Sequence, residues 1–251
     1  MRSPLVDTDS FLAKLSEAGT AEECNLLLSS ILPFLGIKRV GYVRINPPYS
    51  NKRSYVFTNW DKEWVGRYIE RDYVYYDPMM GKARRSVTPF YWGSYSRLEI
   101  SHPRQKSVMA DASDFGHKCG IAVPIRDSHA SLSVVSYIID EKNEKNICES
   151  PSMMRSCKET LLLISLYYHA ESLKKSSNLH EDASPPVLSS RQVEVLKWLA
   201  AGKTVWEASV ILGIAEESVR YHLREAGRKL GTYGVTATVA RSVADGYVSL
   251  G

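Results

Sequence analysis

Between Asn59 and Met80 the chain reads NWDKEWVGRYIERDYVYYDPMM. Trp60, Trp64 and Tyr68 fall at i, i+4 and i+8, which places them on one slowly turning face of a helix. Each carries an N–H or O–H donor, whereas Leu, Ile and Val would bury area without polar atoms to satisfy. The stretch runs on to Asp77-Pro78. Buried beside so many rings, the Asp77 charge would be costly unless a bound molecule donated a hydrogen to it. An N-cap role for Asp77, opening a helix at Pro78, competes with that reading and is compatible with it. Tyr73, Tyr75 and Tyr76 are read as ordinary core-facing aromatics.

A second pattern lies near the carboxy terminus, in EESVRYHLREAGRKL. Val219, Leu223, Ala226 and Leu230 follow a helical period and face a core, while Arg220, Arg224 and Arg228 form a row at i, i+4 and i+8. Glu216 and Glu217 sit in the first turn, where negative charge suits the helix dipole. An arginine row alone is as well explained by a solvated face. Its neighbours change the balance. LSSRQVEVLKWLAAGK predicts a helix with a Ser189/Gln192 capping box, an apolar stripe of Val193, Leu196, Trp198 and Leu199, and a stop at Gly202. TVWEASVIL and a Gly213-Ile214 turn complete a helix-turn-helix, whose second helix fits a major groove and whose arginines can read guanine edges. A last helix, VTATVARSVADGYV, closes the bundle or pairs two subunits.

The surrounding elements must position these groups. TAEECNLLLSSILPFLG predicts a helix opened by a Thr20/Glu23 capping box. KRVGYVRIN and RSYVFTN alternate like strands about a turn at residues 47–51, and CGIAVPIRD and SLSVVSYIID form a second pair about Asp127-Ser128-His129. Helices are expected at about 60–85 and 102–115, and a long one in PSMMRSCKETLLLISLYYHAESLKK. The fold class is therefore α/β: an amino-terminal α/β/α sandwich with a mostly antiparallel sheet over residues 1–173, followed by an all-α helix-turn-helix domain over 188–251. The polar, proline-bearing stretch 174–187 reads as a linker.

The chain has 251 residues and a net charge of +4. Residues 188–251 hold eight Lys/Arg and six acids, so half of that charge sits in about a quarter of the chain. No apolar run is long enough for a membrane span, and the amino terminus lacks a basic-then-apolar leader pattern, which predicts a cytoplasmic protein with no membrane partner. Cys24, Cys119, Cys148 and Cys157 have no metal or redox spacing and are expected as free thiols. His102, His117, His129, His169, His180 and His222 are isolated, and no nucleophile elbow, H-x-x-x-H pattern or phosphate-binding glycine loop occurs. An enzyme is not expected, and neither is a cofactor or metal.

Residues 188–230 resemble the DNA-binding domain of LuxR-type quorum-sensing regulators, through the run from Glu194 to Thr204, the Ser218-Val219 step and the Arg-Lys-Leu end. Gln192 and Ala215 depart from that pattern, the latter removing a serine cap on the recognition helix. Trp64, Tyr68, Asp77, Pro78, Trp92 and Gly120 occur in the order found in the acyl-homoserine-lactone sensors of the family. The resemblance implies a dimeric transcription factor that takes an N-acyl-homoserine lactone and binds an inverted repeat in double-stranded DNA, meeting RNA polymerase if it activates. It implies that Asp77 accepts the ligand amide N–H, Trp64 donates to the lactone carbonyl, Tyr68 lines the acyl chain, Trp92 packs the lactone ring and Ser136 reaches the acyl carbonyl. Trp60 stands where the family commonly has tyrosine, which implies a reshaped acyl site. On the DNA side it implies Arg220 and Arg224 on base edges, with Lys203, Arg228 and Lys229 on phosphates. The alternative is an orphan regulator that responds to another small molecule or to none.

Overall fold

The computed structural model describes residues 8–46, 55–93, 98–126, 131–176 and 186–249. Two compact units form. The expected turns at 47–51 and 127–129, and residues 177–185 of the expected linker, lie outside the described residues.

The first unit is built on five strands: β1 (Ile37–Ile45), β2 (Tyr55–Thr58), β3 (Phe90–Gly93), β4 (Cys119–Arg126) and β5 (Leu132–Ile139). They lie in the order β2-β1-β5-β4-β3, every pair antiparallel. Period-two alternation gives the sheet two different apolar faces. Val135, Tyr137 and Ile139 of β5 join one core with α1 (Thr8–Glu17), α2 (Ala21–Ile31) and α8 (Pro151–Ser176). Leu132, Val134 and Ile138 face the other way, among Met79, Met80, Phe90 and Trp92. That second face is covered by α3 (Lys62–Glu70), α4 (Tyr73–Tyr76), α5 (Pro78–Ala83) and α6 (Pro103–Asp114). The α/β/α layering is as expected. β3, α1 and a short α7 (Glu141–Cys148) are additions to the expected elements.

Several local expectations are corrected. Thr20 caps α2 through Glu23 N–H, but the Glu23 carboxylate reaches Gly19 N–H at 2.6 Å instead of closing a capping box. α8 continues through Ser176, so the first three residues of the expected linker are helical, with Lys174 and Lys175 both paired to Glu171. The helical segments expected over 60–85 are three pieces. Asp72 in the left-handed region (φ +52°) separates α3 from α4, and Asp77 in extended conformation separates α4 from α5 as its N-cap.

The second unit holds α9 (Ser190–Ala200), α10 (Val205–Leu212), α11 (Glu216–Leu230) and α12 (Val235–Ala244) around Val195, Leu196, Leu199, Ala208, Val219, Leu223 and Ala226. The Ser189/Gln192 capping box forms, and Thr204 and Glu207 form another at α10. Gly213 closes α10 at φ +64°, the turn expected between the two helices. Trp198 is not in the buried stripe. It is 37% exposed, and Val195 takes the inward place.

Candidate ligand site and DNA-recognition helix

The site of the first unit begins at the β2–α3 corner. Thr58 Oγ1 accepts Trp60 N–H (3.0 Å) and Asn59 Oδ1 accepts Val40 N–H (2.8 Å), tying this corner to β1. α3 starts only at Lys62, so Trp60 precedes the helix and does not share its face with Trp64 and Tyr68 as the spacing suggested. The indole nevertheless arrives beside them, because β1 has Gly41 beneath it. A Cβ there would stand 2.4 Å from Trp60 Cζ2. Trp92 is seated in the same way at the other end of the sheet. A Cβ on Gly120 of β4 would lie 2.1 Å from Tyr137 O and 2.7 Å from Trp92 Cζ2. Ser136 of β5 is paired with Gly41 on one side and Ala122 on the other. The small residues under the two indoles thus leave space over the centre of the sheet.

Trp60, Trp64, Tyr68, Asp77, Trp92 and Ser136 all line one cavity. The structure adds Met79, Val108, Met109, Ala112, His117 and Ile138 to its walls. Its free volume is about 30 Å³, above the ~10–15 Å³ needed to admit one water and far below what a whole small-molecule ligand needs. Trp64 packs edge-to-face on Tyr68 (centroids 5.6 Å) and against Phe115 (5.5 Å). Among the described residues of this cavity, four buried donors have no hydrogen-bond partner within the protein: the Nε1 of Trp60, Trp64 and Trp92, and Ser136 Oγ. An unmade bond at such a group costs about 1–3 kcal/mol, so four around one cavity form an array arranged for an acceptor-bearing molecule.

Asp77 serves two purposes. Its Oδ1 accepts Met79 N–H at 2.8 Å as N-cap of α5, and its Oδ2 accepts the Tyr68 hydroxyl at 2.9 Å. Burial raises its carboxyl above the usual range against those stabilising hydrogen bonds. Burial and the facing Asp77 likewise raise the Tyr68 phenol, which stays protonated as a donor. A carboxylate with two oxygens retains acceptor capacity beyond these two bonds. Of the expected core tyrosines, Tyr73 is buried, Tyr76 stacks on His102 (5.8 Å), and Tyr75 is exposed.

His117, which reads as an isolated histidine in sequence, is 3% exposed and stands between two indoles. Its ring lies 5.2 Å from Trp60 and 5.6 Å from Trp64. Its Nε2 is 3.4 Å from Arg39 Nη1, and Arg39 is ion-paired with Asp61. Burial, aided by Arg39 and Lys38 and opposed by Asp61, pushes the imidazole down to about 4. No pattern marks it, because it precedes β4 and takes no part in strand alternation.

In the second unit α11 spans the residues expected, with Val219, Leu223, Ala226 and Leu230 buried. Arg220, Arg224 and Arg228 are exposed and paired with Glu216 (3.4 Å), Glu217 (3.0 Å) and Glu225 (2.9 Å). Exposed pairs of this kind are weak and exchange readily for phosphate or base partners. Ala215 at the N-cap makes no side-chain cap, as its identity implied. Lys203 is exposed beside Glu207. Lys229 Nζ donates to Val187 O (2.8 Å) and Gln192 Oε1 (3.1 Å), so its ammonium is engaged within the unit.

Among the described residues no metal-ligating cluster occurs and no helix is long and apolar enough to cross a membrane. The cysteines are free thiols, two of them buried.

The chain matches the autoinducer binding domain over residues 20–171 and the LuxR family of bacterial regulatory proteins over 186–241. It is 29% identical to the quorum sensing-dependent transcriptional regulator RpaR of Rhodopseudomonas palustris, over 76% of this chain and 74% of that one. Escherichia coli SdiA has the same fold, with a TM-score of 0.62 at 20% identity over 96% of this chain and 97% of its own. SdiA is also known in complex with octanoyl-rac-glycerol. CepR2 of Burkholderia cenocepacia, an N-acylhomoserine lactone dependent factor, aligns with a TM-score of 0.56 at 19% identity, over 68% of this chain and 96% of its own. With both domains matched and a transcriptional regulator among its relatives, the chain belongs to the LuxR family of autoinducer-binding transcription regulators.

Proposed function

We propose that the cavity takes an N-acyl-homoserine lactone and that the protein, as a dimer, recognises an inverted-repeat promoter site. The observation that carries this reading is the set of four unpartnered donors around one small cavity with Asp77 as its acceptor. The ligand has two carbonyl oxygens to receive donors and one amide N–H to give. Asp77 accepts that N–H, Trp64 donates to the lactone carbonyl, and Ser136 and Trp60 donate to the acyl carbonyl. Trp92 packs the lactone ring and Tyr68 lines the start of the acyl chain.

Trp60, pressed against Gly41, fills space beside the first acyl carbons and favours a short, branched or aryl acyl group. Trp60→Tyr should therefore change selectivity across an acyl panel, and an unchanged profile would remove this part of the reading. The cavity is too small for the whole ligand, so entry must displace side chains and couple binding to folding of α3–α6.

On the DNA side, Arg220 and Arg224 face base edges, and Lys203 and Arg228 take phosphates, with half-sites about one helical turn apart. Lys229 is left to hold the domain together. Exposed Leu163, Leu166 and Tyr167 on α8, and Val235 on α12, offer apolar surface for pairing two copies.

The SdiA complex with octanoyl-rac-glycerol favours one second reading, an acyl compound with a different head group. The experiment is a melting-temperature screen of the full chain against acyl-homoserine lactones of short, long, oxo-substituted and aryl type, with monoacylglycerols alongside. A rise confined to lactones supports the proposal. A rise confined to monoacylglycerols supports the second reading, and no rise with any compound removes both.

A further inference from the structure

We propose that His117 is a further ligand-contacting residue, donating its Nδ1–H to the lactone carbonyl beside Trp64. This rests on the lactone reading of the cavity given above.

Arg39 fixes the tautomer of His117. Arg39 can only donate, so the Nε2 that faces its guanidinium must be the accepting nitrogen, and the ring proton sits on Nδ1. Burial keeps the ring neutral, so this single-donor form persists at physiological pH. The ion pair of Arg39 with Asp61 holds the guanidinium in place behind the ring. Edge contacts with Trp60 and Trp64 fix the ring, which itself lines the cavity. Nε2 is the ring nitrogen turned to Arg39, which leaves Nδ1 as the donor that His117 brings to the cavity wall.

A count of donors and acceptors then assigns the partner. A carbonyl oxygen has two lone pairs, and leaving either unmet in a dry cavity is unfavourable. Ser136 and Trp60 supply two donors for the acyl carbonyl. The lactone carbonyl has only Trp64 from the residues assigned so far. His117, edge-on to Trp64 at 83°, supplies the second. Trp92 Nε1 is then left for the ring oxygen, the weakest acceptor of the head group. The ligand's acceptors and the cavity's free donors match one for one, and a head group without the carbonyl leaves two of them unmet.

The test compares two ligands with the same acyl chain: the homoserine lactone and the cyclopentylamide, which lacks both the lactone carbonyl and the ring oxygen. Dissociation constants are measured on the full chain by calorimetric titration. His117→Phe keeps an aromatic ring and removes the donor. It should weaken lactone binding at least tenfold and cyclopentylamide binding less than twofold. His117→Asn, whose amide nitrogen can take the place of Nδ1, should recover most of the lactone affinity. An undiminished lactone affinity in His117→Phe, or equal losses with both ligands, would overturn the proposal. If the phenylalanine variant does not fold, His117→Ala is read by the same ratio. A variant that binds like wild type while Trp64→Phe binds weakly leaves the lactone reading standing and removes His117 alone. If wild type binds neither compound, the lactone reading fails, and this inference with it.

Discussion

The two units satisfy their buried polar groups in opposite ways. In the helix-turn-helix unit, Ser189 with Gln192 and Thr204 with Glu207 close capping boxes, Thr232 bonds Thr238, and Lys229 bonds Val187 and Gln192. The arginines proposed to meet DNA stand outside, paired loosely with glutamates of their own helix. In the sensor unit the groups proposed to meet the ligand are inside, and four of their donors have no partner within the protein. A surface site can be complete before its partner arrives, because water meets every polar group. An interior site stays incomplete until the ligand supplies the missing half, so its stability is tied to occupancy.

The sharpest way to break that contrast is to add ligand. A lactone at a thousandfold excess over its dissociation constant should stabilise the sensor unit by about 4 kcal/mol. Hydrogen exchange on the full chain should slow in α3–α6 and stay unchanged in α9–α12. Equal slowing in both would show that the helical unit is not self-sufficient.

The two glycines beneath the indoles give the next effect. Gly120→Ala meets the backbone oxygen of Tyr137, which cannot move aside, and should destabilise the protein by about 3 kcal/mol. Gly41→Ala meets the Trp60 ring first, a side chain and not backbone, and should cost about 1 kcal/mol while changing acyl selectivity more than stability. Chemical unfolding of both variants separates them.

Acid should also act unequally on the two units. His117 titrates at about 4 when folded and near its ordinary 6.5 when unfolded. The unfolded chain therefore binds the extra proton as pH falls from 6.5 to 4, and stability falls with it by about 3 kcal/mol. Asp77 has the opposite sign, because its raised carboxyl takes a proton more readily in the folded state. The difference in acid sensitivity between wild type and His117→Phe isolates the histidine part in a denaturation series.

The smallest effects lie on the DNA side. Arg224→Ala should weaken operator binding by about 1–3 kcal/mol and relax one base position. Lys229→Ala should leave the salt dependence of binding unchanged and lower the stability of the helical unit by about 1 kcal/mol. A Lys229 variant that loses a phosphate contact instead would restore that residue to the interface.

The sequence was most legible where the signal is local. α11 is bounded as its period, its acidic first turn and the following glycine indicate, because a helix with one buried stripe needs no distant partner to define it. Residues of the cavity could be named but not arranged. The i, i+4, i+8 spacing of Trp60, Trp64 and Tyr68 suggested one face, yet the tie of Asn59 to β1 keeps Trp60 off the helix. β3 is only four residues long, too short for alternation to show. His117 is drawn to the cavity by the turn before β4 and held by Arg39, a residue 78 positions away in sequence. Trp198 erred by the phase of a helix, and the bonds of Lys229 to Val187 and Gln192 are tertiary; periodicity alone determines neither.

The placement of the tryptophans has an optical consequence. Of the chain's five, Trp60, Trp64 and Trp92 line the cavity, while Trp198 and Trp206 are exposed in the helical unit. Indoles in a dry apolar setting emit at shorter wavelengths than indoles in water. The intrinsic emission of this protein is thus a sum of two colours, the bluer from the sensor and the redder from the helical unit. A single spectrum can follow ligand capture at one end of the band and changes around the DNA-recognition unit at the other, with no label attached.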